Sequence, residues 1–133
     1  MTHKPSLWLL AGFVAIFTIP ALAHHSFAAE YDSSKPVKMK GVVTKVDWTN
    51  PHVYFYMDVE ADAGKILNWG FEMGPPNGLQ RNGWTRNTMK VGDEVTVEGT
   101  MAKDGSRQAN ARSVTMTNTG RKLGAGSSET TTP

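Results

Sequence analysis

The chain has no cysteine, so no disulfide staples it, no thiolate serves as nucleophile or metal ligand, and no lipid-modified cysteine tethers it. It lacks a long hydrophobic run: the one continuous apolar stretch, Leu7 to Ile19, covers 13 residues, too few to span a bilayer comfortably. It also lacks a charge excess. Fourteen basic residues stand against twelve acidic ones, and removing the first 23 residues takes away only Lys4, leaving 13 against 12. So even a balance argues against a surface that tracks phosphates and excludes nucleic acid as the expected partner. Neither a phosphate-cradling glycine loop nor a zinc-helix motif is present, and Ser26 has no legible triad partner, so no enzymatic activity is expected.

What is present at the start reads as an export signal. Lys4 gives a short basic region, the apolar stretch follows, and Pro20 breaks the helix just before Ala21-Leu22-Ala23. Small side chains at Ala21 and Ala23 suit a signal-peptide cut after Ala23. A cut after Ala28 or Ala29 is the alternative. Residues 1–23 are therefore expected to be a signal peptide and the product exported to the periplasm or secreted, with no stable membrane span left. The remaining 110 residues suffice for one domain with a modest core.

Residues 24–36 form an arm without a clear period. From Val37 the pattern becomes strand: Val37, Met39, Gly41 and Val43 share one face, and Gly41 suggests a bend or bulge. Asp47 to Pro51 is a turn. His52 to Glu60 then alternates, with Val53, Phe55, Met57 and Val59 inward and His52, Tyr54, Tyr56 and Asp58 outward. Ala61 to Lys65 is a hairpin loop, and Ile66 to Met73 returns with Leu67, Trp69, Phe71 and Met73 on the core face. Pro76 or Asn77 starts a short helix, and Trp84 plugs the core beside it. Glu94–Met101 and Ala109–Thr117 are strands four and five, joined by a turn at Lys103–Ser106. Five strands with a helix between the third and fourth describe an all-β, OB-like Greek-key barrel over residues 37–123. The tail, 124–133, is expected to be disordered.

His24-His25-Ser26-Phe27, Trp48-Thr49-Asn50-Pro51-His52, Gly83-Trp84-Thr85-Arg86 and Asn110-Ala111-Arg112-Ser113-Val114 occur together. In that combination the chain resembles a family of small exported bacterial proteins of unknown function. The resemblance covers nearly the whole processed chain and implies an exported OB-like domain; it brings no activity with it.

Two functions follow from the residues. Cleavage after Ala23 would leave His24 as the first residue, with its free amine and ring nitrogen able to chelate one ion. Nitrogen ligands in a flat set suit Cu(II) best. His24 in this position resembles the histidine brace of certain copper proteins. His52 is the best candidate for a third ligand, and His25 is the other. Pairing Val59 with Leu67 puts Tyr54 opposite Glu72 and brings His52 within reach of Glu72, which could orient the ring or supply an axial oxygen. The scattered methionines read as core packing rather than copper ligands. The alternative is a non-catalytic binding module that takes a sugar or protein partner on the outward face of Tyr54 and Tyr56, with Trp48 beside it.

Overall fold

The computed structural model describes residues 27–126. A one-turn helix α1 (Phe27–Glu30) leads into a long strand β1 (Tyr31–Asp47), followed by β2 (Tyr54–Glu60) and β3 (Ile66–Glu72). Helix α2 (Pro76–Arg81) separates these from β4 (Glu94–Ala102), β5 (Gln108–Met116) and a short β6 (Lys122–Gly124). The sheet runs β3-β2-β1-β4-β5-β6. A parallel pairing of β3 with β5 closes the first five strands into a ring, the OB-like barrel, through Gly70 with Gln108, Phe71 with Ala109 and Glu72 with Asn110.

The alternation along β2 and β3 builds the core. Phe55, Met57, Phe71 and Met73 are fully buried, and the Phe55 and Phe71 rings stack 5.1 Å apart. Val95, Val97, Val114 and Leu79 complete the interior. Trp84 is 2% exposed and its indole N–H donates to the Gly124 carbonyl, so the plug expected there is in place and fully bonded. Helix α2 starts at Pro76, where a missing N–H costs nothing.

Three local features differ from the sequence reading. Strand β1 begins at Tyr31 rather than Val37, because Tyr31 pairs with Ala102 before the register shifts and resumes at Pro36. Between them the Asp32 carboxylate accepts from the Ser34 N–H and hydroxyl, an excursion that hides the strand period. Gly41 marks close approach rather than a bend: a Cβ there would lie 2.4 Å from the Asp58 carbonyl oxygen, while the irregularity falls between Val43 and Lys45. The packed domain also runs past Leu123. Ala125 is buried, accepts from the Gly74 N–H and donates to Arg112, so the first residues of the expected tail belong to the domain. Residues 127–133, Ala21–Ala23, His24 and His25 lie outside the described residues. Among the described residues no helix is long and apolar enough to cross a membrane.

Candidate functional site

The β2–β3 register is Tyr54 with Glu72, Phe55 with Phe71, Tyr56 with Gly70, Met57 with Trp69 and Val59 with Leu67, as the hydrophobic pattern requires. The pairing continues one residue beyond β2, where Val53 exchanges backbone bonds with Met73 and Gly74. Because Val53 points into the core, His52 must point outward, toward the side chain of Glu72. His52 Nδ1 and Glu72 Oε1 are hydrogen-bonded. The ring is 31% exposed and the carboxylate 11%, so the pair sits at the edge of the barrel rather than inside it. His52 Nε2 makes no hydrogen bond among the described residues.

The other Glu72 oxygen has a partner the sequence did not reveal. Tyr31 donates its hydroxyl to Glu72 Oε2 at 2.6 Å, and its ring is buried. One carboxylate thus ties the start of β1 to His52. The residues before Tyr31 are held to the same region: the Phe27 and Tyr31 ring centroids are 5.3 Å apart, Lys103 Nζ donates to the Ala28 carbonyl, and the Lys103 N–H donates to the Glu30 carbonyl at 2.8 Å. The only available signal was the pair Phe27 and Tyr31, four residues apart in an otherwise small and polar arm.

Tyr54 is half-buried next to Glu72. Burial, then the Glu72 carboxylate, pushes its phenol up to about 12. The Tyr31 phenol is pushed up further, by burial first and then by its hydrogen bond to the Glu72 carboxylate. The fold therefore favours both neutral phenols. That contribution is complete below the ordinary phenol range near ~10 and is lost as pH rises, for Tyr54 between about 10 and 12. Denaturant midpoints measured from pH 8 to 11.5 should fall steadily above about pH 10, and Tyr54→Phe should flatten the decline.

The remaining candidates are dispersed. Tyr56 covers Gly70, where a Cβ would lie 3.1 Å from its ring, and Lys45 Nζ sits 5.5 Å from the ring centroid. Trp48 is half-buried and packs against the core, in a small cleft with Val46, Met73, Trp84 and Met89. Of Tyr54, Tyr56 and Trp48, Tyr54 alone lines the larger cleft described next. A larger cleft of about 560 Å³ opens instead beside Tyr31, Tyr54 and Glu72, completed by α1 and the β4–β5 turn. Among the described residues no three histidine or carboxylate side chains gather around a point that could hold a metal ion.

Residues 12–111 match the model of DUF6152, a family of unknown function. The chain belongs to the DUF6152 family. The matched stretch takes in Tyr31, His52, Tyr54 and Glu72, so every member of the site described above falls within the family's own boundaries. No curated protein matches the chain. Among solved structures, a ZRD-deleted mutant of TiaS in complex with agmatine is similar at 22% identity with a TM-score of 0.44, over 64% of this chain and 22% of that one. The chain thus spans about a fifth of that protein's length, and so loose a likeness carries over no site and no ligand.

Proposed function

We propose that this DUF6152 member is a small exported copper-binding protein that holds Cu(II) between a processed N-terminal His24 and His52, for copper handling or delivery in the periplasm. The observation that carries this reading is the orientation of His52. With Nδ1 committed to Glu72, the ring is fixed and Nε2 is the free nitrogen, which is how metal-ligating histidines are usually supported by a carboxylate. The terminal amine and Nδ1 of His24 would supply two further nitrogens, and three nitrogens favour copper over other first-row divalent ions. His25 remains the other candidate ligand.

The position of α1 supports the same reading. Phe27 packs on Tyr31, whose hydroxyl is bonded to Glu72. His24 is three residues further back, and three extended residues span at most roughly 10 Å, so the place of α1 limits where the terminal histidine can lie.

The test uses protein processed and exported by its host. Intact-mass and N-terminal measurement should give His24 as the first residue, and titration should give one tight Cu(II) equivalent. His52→Ala should weaken that binding at least about tenfold, since even supporting residues of metal sites are worth that much. A chain beginning at Ala29 or Glu30, or binding unchanged in His52→Ala, contradicts the proposal.

A further inference from the structure

We propose that the cleft between α1, β2, β3 and the β4–β5 turn is a binding site for a saccharide that carries no acidic group. Its volume, about 560 Å³, falls within the ~300–1,000 Å³ usual for small-molecule clefts. Seven parts of the chain contribute to it: α1, the start of β1, β2, β3 through Glu72, the end of β4, the β4–β5 turn with Asp104 and Ser106, and β5 through Gln108. Strands two and three with the loop between four and five are where OB folds present ligand surfaces.

The lining decides the class of ligand. Glu30, Glu72 and Asp104 give three carboxylates against one ammonium, that of Lys103, which is engaged by the Ala28 carbonyl. Phosphates, sulfates and uronates are therefore repelled. Glu72 already accepts on both oxygens, from His52 and Tyr31, so it is the most engaged carboxylate of the cleft. The groups left are Glu30, the second oxygen of Asp104 (its first accepts from Ser106) and the Gln108 amide, none of them bonded elsewhere among the described residues. Two planar acceptors and an amide, set beside two tyrosines, match a ligand with a rim of hydroxyl donors and apolar C–H faces. A sugar ring has both.

This inference is independent of copper, and the test keeps it so. Metal-free protein in chelator is titrated with N,N′-diacetylchitobiose, glucosamine and glucuronate, following backbone amide resonances. The neutral disaccharide should shift the amides of Tyr54, Asp104 and Gln108, with a dissociation constant of about 5 mM or tighter. Gln108→Ala and Asp104→Asn, both at exposed positions away from His52, should each weaken it about five- to tenfold. No shift with the disaccharide, shifts with glucosamine alone, equal binding of glucuronate, or unchanged affinity in both variants would each overturn the assignment.

Discussion

Gly99→Val should leave the chain largely unfolded, and Gly99→Ala should already cost about 4 kcal/mol or more, in the range reserved for severe backbone conflict. A Cβ at Gly99 would lie 1.9 Å from the Asn110 carbonyl oxygen and 2.9 Å from its carbon. Those are backbone atoms of a paired strand, so no side-chain rotation relieves the overlap. The register of β4 and β5 shifts between Glu98 and Gly99, which brings Gly99 against Ala111 and Thr100 against Asn110. Asn110 in turn pairs with Glu72 where the barrel closes. Pushing Asn110 away therefore opens the ring at the residue that holds His52. Against a total stability of ~5–15 kcal/mol, 4 kcal/mol is a large share, and a thermal midpoint lower by roughly 15–20 °C is expected for Gly99→Ala. Gly105→Ala is the control. Its φ is +77° but nothing lies within 4 Å of the added carbon, so the cost should stay near ~1–2 kcal/mol.

Glu72→Gln should lower copper affinity by roughly 10- to 100-fold while leaving the chain folded. The carboxylate accepts from His52 on one oxygen and from Tyr31 on the other. A glutamine of the same shape presents one oxygen and one N–H₂ to two donors. If the amide nitrogen faces His52, the ring must turn its proton to Nε2 so that Nδ1 can accept, and the ligand nitrogen is blocked. If it faces Tyr31, the hydroxyl must turn round and the amide oxygen holds His52 with less charge. Either arrangement weakens the presentation of Nε2. The loss of two charge-assisted bonds costs about 1–3 kcal/mol of stability, which urea unfolding would measure beside the copper titration.

How much of this was legible depended on how regular the pattern was. Between His52 and Met73 the alternation is strict and the loop short, so one register alone buries both apolar sets. That register correctly brought Tyr54 opposite Glu72 and His52 against it, with Gly70 making room for the Tyr56 ring. Tyr31 stayed hidden because the excursion at Asp32–Ser34 breaks the period of β1 just after it. β6 has three residues, too few for any periodicity, and follows a turn rich in threonine and glycine. Trp48 looked like a surface aromatic beside a turn, but the chain turns it onto the core near Trp84. The cleft was not legible at all. Its walls come from segments far apart in sequence, and the turn residues Asp104 and Ser106 read only as a turn.

The most direct test of the central claim is pulsed paramagnetic resonance of the processed protein with one equivalent of Cu(II), compared with His52→Ala. If Nε2 of His52 binds the ion, its Nδ1 is the remote nitrogen of a coordinated imidazole. Its modulation should be present in the native protein, diminished in His52→Ala, and altered in Glu72→Gln. Identical spectra in the native protein and His52→Ala would contradict the account.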